Sequence, residues 1–159
     1  MARASKKDFI VEIASQVFLE NGFKGTSVDM VVTACGVSKP TVYNHFPDKT
    51  ELMTAVMNRW LALHQPLEYG RQALSEVDSP LLLETALASH WWSAENMPIY
   101  RLVIGEGWRF AAAAERFWQE FDVAWRALAL SRHQQLLALN EPDETFSAWI
   151  SHQLWKQLH

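Results

Sequence analysis

Two short helical segments joined at Gly36 constrain this chain more strongly than any other feature of its sequence. Apolar residues recur at spacings of three and four over 28–35, and a second short segment covers 39–46. Ser27 and Ser38 stand directly before the two segments, where a hydroxyl caps free backbone N–H groups. Gly36 ends the first segment because glycine adopts a left-handed backbone at little cost. Two such helices with a three-residue turn between them predict a helix-turn-helix.

Longer helices are predicted on both sides of this pair. Apolar residues with helical spacing cover 5–21, and the same periodicity runs over 48–65 until Pro66 stops it. Thr26 and Asp29 have the spacing of a capping box, so Thr26 is a second candidate cap for the first short helix. The first and fourth helices would supply the rest of a small core around the two short helices.

The remainder of the chain is predicted to be helical throughout. Helical periodicity covers 80–93, 98–110, 113–139 and 144–158, and no alternation with a period of two is long enough for a strand. The predicted fold is therefore all-α. We expect an N-terminal three-helix helix-turn-helix domain over 1–48, followed by a helical ligand-binding and dimerisation domain over 49–159.

Composition excludes several functional classes. The net charge is −4, but residues 1–60 hold seven basic and six acidic side chains, whereas the rest of the chain is strongly acidic. The N-terminal part therefore permits a nucleic-acid partner. No apolar stretch is long enough to span a membrane, and one cysteine, Cys35, excludes an internal disulfide framework. We expect a cytoplasmic protein with no membrane partner.

An enzyme is the first alternative, and the sequence offers little for it. The six histidines show neither the spacing of a zinc site nor a carboxylate partner at ligand spacing, and no glycine-rich phosphate loop or nucleophile elbow occurs. We expect no catalytic residues, no metal and no cofactor.

The segment from Thr26 to Leu52 resembles the N-terminal signature of the TetR family of transcriptional regulators. The matching residues are Gly36-Val37-Ser38-Lys39, Tyr43, His45-Phe46 and Lys49. Met30, Val32 and Cys35 depart from the family pattern at positions that concern capping and packing. The resemblance implies a DNA-binding regulator, and we expect a repressor. A helical partner-binding protein that keeps the helix-turn-helix but has lost operator binding is the second alternative.

A recognition helix needs small polar side chains at its N-terminal end, because that end enters the major groove. Lys39 can reach a guanine edge or a phosphate, and Thr41 a thymine methyl or a phosphate. The Tyr43 hydroxyl suits a hydrogen bond to a phosphate oxygen, and burial of the ring in the core is the alternative. The predicted DNA-contacting residues are Ser27, Ser38, Lys39, Pro40, Thr41, Tyr43, Asn44, His45 and Lys49.

The second half of the chain is rich in aromatic residues, since all eight tryptophans lie at or after Trp60. The stretches 101–110 and 115–118 are similar to the ligand domain of TetR-family regulators, which implies an apolar pocket for a small apolar or aromatic effector. Aromatics at helical spacing also fit a solid core. The predicted pocket residues are His90, Trp91, Trp92, Trp108, Phe117, Phe121 and Trp125.

The resemblance also implies a homodimer on a pseudo-palindromic double-stranded operator. Members of the family pair through their last two helices, and this sequence ends about one helix short of their usual length. We expect the interface on 143–159 with part of the helix before it. The effector, the operator sequence and the direction of regulation do not follow from the sequence.

Overall fold

The computed structural model describes residues 5–64, 66–138 and 143–158, and within them the chain is built from α-helices, without a strand. The prediction of an all-α fold is confirmed. The helices are α1 (Lys6–Gly25), α2 (Val28–Cys35), α3 (Lys39–His45), α4 (Lys49–Leu63), α5 (Pro66–Ser75), α6 (Pro80–His90), α7 (Met97–Glu106), α8 (Ala111–Phe117), α9 (Val123–Leu137) and α10 (Glu144–Leu158). Among these residues, none of the helices is both long and apolar enough to cross a bilayer.

The chain divides into two compact units. The first combines the described residues up to Leu63 with Leu102–Glu115, and the second combines His64–Arg101 with the described residues from Arg116 onward. The proposed functional boundary after residue 48 stays a prediction, because compactness does not say which residues bind DNA or an effector.

In the first unit, α1 packs on α2 and α4, and α2 packs on α3. A capping box begins α1: the Ser5 hydroxyl accepts the Asp8 N–H at 3.1 Å, and the Asp8 carboxylate accepts the Ser5 N–H at 3.2 Å. Ile10, Ala14 and Phe18 are fully buried along one side of α1. The helical periodicity also predicts Phe9 on this apolar face, but Phe9 is 42% exposed.

The cap of α2 differs in part from the prediction. Ser27 caps the helix, with its hydroxyl accepting the Met30 N–H at 3.2 Å. Thr26 makes no capping box with Asp29. It is buried instead, and its hydroxyl donates to the carbonyls of Val17 and Gly22. A threonine one position before the cap can satisfy its hydroxyl on the preceding helix, and spacing alone does not distinguish the two arrangements.

In the second unit, α9 packs against α5, α6 and α10. Pro66 was predicted only to end the preceding helix, yet it is also the first residue of α5. Proline is favoured at that position because its missing N–H would have no partner inside the helix. Helix α5 was therefore missed.

The predicted helix over 113–139 is interrupted. A 3-10 turn at Gly107–Phe110 precedes α8, and a wider π turn at Trp118–Asp122 separates α8 from α9. The π turn buries both Phe121 and Asp122. Such turns depend on tertiary contacts, so the 3.6-residue periodicity of the sequence does not reveal them.

Candidate nucleic-acid interface

The turn between α2 and α3 is fixed by its own residues. Gly36 takes the left-handed conformation (φ 64°, ψ 22°), and its N–H donates to Val32 O at 3.1 Å. Ser38 then caps α3, accepting the Thr41 N–H at 3.4 Å, while its hydroxyl lies 2.7 Å from the Thr41 hydroxyl. Pro40 occupies the first turn of α3, where no acceptor for an N–H exists.

Helix α3 has a buried side and an exposed side. Val42 is fully buried and Phe46, which follows the helix, is 2% exposed. The residues predicted to meet DNA lie away from this core: Ser38, Lys39, Pro40, Tyr43, Asn44 and His45 are exposed, and Thr41 is half-buried. The predicted residues of α3 therefore form one accessible surface, and Ser27 is also exposed at the start of α2.

Lys39 already has a partner within the chain. Its ammonium lies 2.8 Å from one carboxylate oxygen of Asp29 and 3.0 Å from the other, and 5.5 Å from the centre of the Tyr43 ring. The hydrogen bond to Asp29, followed by its negative charge, raises the pKa of Lys39. The Lys39 ammonium therefore lies beside both the Asp29 carboxylate and the Tyr43 ring.

Lys49 holds the junction between α1 and α2. Its ammonium donates to the carbonyls of Phe23 (2.8 Å) and Thr26 (2.9 Å) and lies 4.5 Å above the Phe23 ring. Two of its three N–H groups therefore have protein acceptors, and one is left for another partner.

Glu106 also belongs to this region, although no motif in the sequence indicates it. Gly22 breaks α1 with a non-helical backbone (φ 72°, ψ 172°), which leaves the next N–H groups without helical acceptors. The Glu106 carboxylate accepts two of them, from Phe23 at 2.9 Å and Lys24 at 2.7 Å. A separation of more than eighty residues provides no sequence signal for this contact. Glu106 accepts the Phe23 N–H and Lys49 donates to the Phe23 carbonyl, so both polar groups of this residue's backbone are hydrogen-bonded.

Five of the seven predicted pocket residues lie together in the second unit. Trp91, Trp92, Phe117, Phe121 and Trp125 are each at most 5% exposed. The rings of Trp91 and Trp125 stack 6.2 Å apart, and those of Phe117 and Phe121 stack 5.5 Å apart. His90 is half-buried at the end of α6.

Trp108 is separate from this cluster. It belongs to the first unit, is 71% exposed, and has the Arg109 guanidinium 4.1 Å above its ring. It lines an open cleft of about 720 Å³ with Asn21, Lys24, Gly25, Gly105, Glu106 and Arg109.

The aromatic cluster contains a polar centre that the sequence analysis missed. The Tyr100 hydroxyl donates to Asp122 at 2.7 Å and accepts the Trp91 indole N–H at 2.8 Å. Burial, then the charge of Asp122, raise the pKa of Tyr100 well above its usual value. The Arg126 guanidinium lies 3.6 Å from the second oxygen of Asp122. Asp122 reaches this position through the π turn, so its spacing along the chain does not indicate the contact.

The chain is similar to known regulators mainly through its first helices. Residues 10–56 match the model of the family described as bacterial regulatory proteins, tetR family. The transcriptional activator FasR of Mycolicibacterium smegmatis is 36% identical over 59 residues, covering 37% of this chain and 27% of FasR. The repressor DhaR of Mycobacterium sp. strain GP1 is 43% identical over 49 residues, covering 31% of this chain and 25% of DhaR. The matched region thus spans about a quarter of these relatives.

Solved structures extend the likeness along the chain. A protein from Mesorhizobium loti assigned to the TetR family of regulators superposes with a TM-score of 0.67 at 26% identity, covering 87% of this chain and 71% of its own. GusR of Salmonella enterica has the same fold, with a TM-score of 0.59 at 22% identity over 94% of this chain and 80% of its own. FasR, DhaR and the Mesorhizobium loti protein are described as transcription regulators.

Proposed function

We propose that this chain is a TetR-type repressor that binds a pseudo-palindromic operator as a homodimer; the match of residues 10–56 to the tetR family of bacterial regulatory proteins supports this proposal. In this proposal a small, largely apolar effector releases the DNA. The exposed polar surface of α3, set on a buried Val42 and Phe46, is the observation that carries the proposal.

Helix α3 is the recognition helix in this proposal. Its N-terminal residues Lys39 and Thr41 meet base edges, because that end of a recognition helix enters the major groove. Tyr43, Asn44 and His45 lie toward its other end, where side chains reach the phosphates. The remaining N–H of the Lys49 ammonium adds a further phosphate donor. A helix this short reads few base pairs, so two copies about 34–36 Å apart on successive major grooves supply useful specificity.

The effector site belongs to the second unit in this proposal. The cluster around Trp91 and Trp125 supplies apolar walls, and the Tyr100–Asp122 pair supplies polar groups that can orient a ligand. An effector can release DNA only by binding one conformation of the protein better than the other, a difference typically of about 1–3 kcal/mol. We place the dimer interface on α10 and part of α9. Trp155 on α10 is 60% exposed, which makes it accessible to a second copy.

Selection from randomised double-stranded DNA tests the central claim. We expect the full chain to enrich one pseudo-palindromic sequence, and the mass of the protein–DNA complex to correspond to two chains on each site. Enrichment of no sequence would reject the repressor and leave a helical partner-binding protein.

Tryptophan fluorescence tests the effector. A screen of hydrophobic aromatic compounds should find one that changes the emission and releases the selected DNA. Compounds that change the emission without releasing DNA would leave the aromatic cluster without a regulatory role. Sedimentation that shows only monomer at micromolar concentration would reject the proposed dimer.

A further inference from the structure

Asp29 is the one acidic side chain that the described structure places directly against the predicted base-reading lysine. It stands in the first turn of α2, whereas Lys39 is the first residue of α3, so the ion pair crosses the turn of the helix-turn-helix. Both carboxylate oxygens lie within 3.0 Å of the Lys39 ammonium. The contact therefore fixes the direction in which the flexible lysine side chain leaves α3.

This ion pair contributes little to folding, because both of its side chains are largely exposed, at 62% for Asp29 and 57% for Lys39. Water and salt screen exposed pairs of this kind, and the ordering of two long side chains opposes them. The position of Asp29 is also unfavourable for general DNA affinity, since a carboxylate beside the recognition helix repels phosphates. Asp29 also lies in the first turn of α2, where a negative charge interacts favourably with the helix dipole, but that interaction does not require a contact with Lys39.

We infer that Asp29 is a specificity-determining residue, which holds the Lys39 ammonium toward a base edge and away from the phosphates. The inference rests on the proposed function. Asp29 acts as a positioning residue: its carboxylate attracts the Lys39 ammonium, which also lies 5.5 Å from the centre of the Tyr43 ring. A lysine without this restraint can move between base edges and phosphate oxygens, which carry no sequence information.

Asp29→Asn in the full chain tests the inference, because asparagine keeps the size of the side chain and removes its charge. Selection from randomised DNA should show that the preference at one base pair of each half-site falls by about two- to five-fold, which is the range that the loss of an exposed ion pair can cause. The freed ammonium should then bind a phosphate, so the salt dependence of binding should steepen by up to about one unit per subunit.

Two further variants separate this effect from a change in net charge or fold. Glu12→Gln also neutralises an exposed acid with a basic partner, Arg59 at 3.4 Å, and should leave the base preference unchanged. Lys39→Ala should weaken the preference at the same base pair, and adding Asp29→Asn to it should produce no further change there.

Three results would overturn the inference: an unchanged base preference in Asp29→Asn, a change at a base pair that Lys39→Ala does not affect, or an equal change in Glu12→Gln. Failure of the proposed function has a different signature, since the unaltered chain would then select no sequence. Far-ultraviolet circular dichroism and thermal unfolding identify a variant that fails to fold, and Asp29→Ser, which also removes the charge, would then replace it.

Discussion

Glu106 accepts the backbone N–H of Phe23 at 2.9 Å, although 83 positions separate the two residues in sequence. The same carboxylate accepts the N–H of Lys24, and the Phe23 ring packs on Phe110 with its centre 5.2 Å away. Because Gly22 interrupts α1 just before these N–H groups, the carboxylate of Glu106 replaces the acceptors that a continuous helix would have provided. The end of α7 thereby fixes the segment that leads into the helix-turn-helix.

Removing this carboxylate should lower the stability of the fold. Glu106→Ala leaves the partly buried Phe23 N–H and the exposed Lys24 N–H without their charged acceptor, which should reduce the free energy of unfolding by about 2 kcal/mol. Denaturant titration measures the decrease. Glu115→Ala removes an exposed acid from the same unit and should change stability by less than about 0.5 kcal/mol. Equal values for the two variants would mean that the Glu106 carboxylate does not stabilise the fold.

The two glycines with positive φ should respond differently to alanine. At Gly22 an added Cβ would lie 2.6 Å from the Glu106 carboxylate, and its backbone (φ 72°, ψ 172°) is in a region that is nearly exclusive to glycine. We expect Gly22→Ala to lower the free energy of unfolding by about 3 kcal/mol. Gly36→Ala meets no atom within 4 Å and should cost about 1–2 kcal/mol for the left-handed backbone alone. Thermal unfolding that ranks the two variants in the opposite order would contradict this interpretation of Gly22.

Replacing Lys49 should affect both folding and DNA binding. Lys49→Ala removes two hydrogen bonds to carbonyls, so the free energy of unfolding should fall by about 2 kcal/mol. It should also weaken binding to every DNA sequence and flatten the salt slope by about one unit for each phosphate that the ammonium no longer neutralises. Fluorescence anisotropy over a range of salt concentrations provides the slope, with the exposed Lys24→Ala as the control. A decrease in stability with an unchanged salt slope would mean that Lys49 stabilises the fold but does not contact a phosphate.

The free energy of unfolding at high pH should depend on the ionisation of the buried Tyr100. Its pKa in the folded protein lies above the ordinary value of 10.0, so the neutral phenol is favoured by folding. The corresponding stability is fully present below about pH 10 and declines as the pH rises toward the folded pKa. At neutral pH we expect Tyr100→Phe to unfold more easily by about 1–3 kcal/mol, since Asp122 and Trp91 lose a partner.

The comparison across pH isolates this residue from the lysines, which also titrate there. The difference in unfolding free energy between the unaltered chain and Tyr100→Phe should shrink above about pH 10. Tyr43→Phe, which changes an exposed ring, should show no such trend. A constant difference up to about pH 12 would contradict the raised pKa.

The local features of this protein follow from its sequence. Ser27 and Ser38 cap α2 and α3, and Gly36 turns the chain between them, because each of these effects involves only a few neighbouring residues. The exposed surface of α3 follows in the same way from the helical period, which places Val42 in the core; Phe46 is buried directly after the helix ends.

Tertiary structure decided the contacts between residues far apart in sequence. Glu106 meets Phe23, and Asp122 meets Tyr100, only after separate helices have packed. The π turn at Trp118–Asp122 and the burial of Thr26 arise for the same reason, since each satisfies a polar or apolar group that only the folded chain provides. The sequence determined where helices begin and end around α3, and the packed fold determined which carboxylates hold them in place.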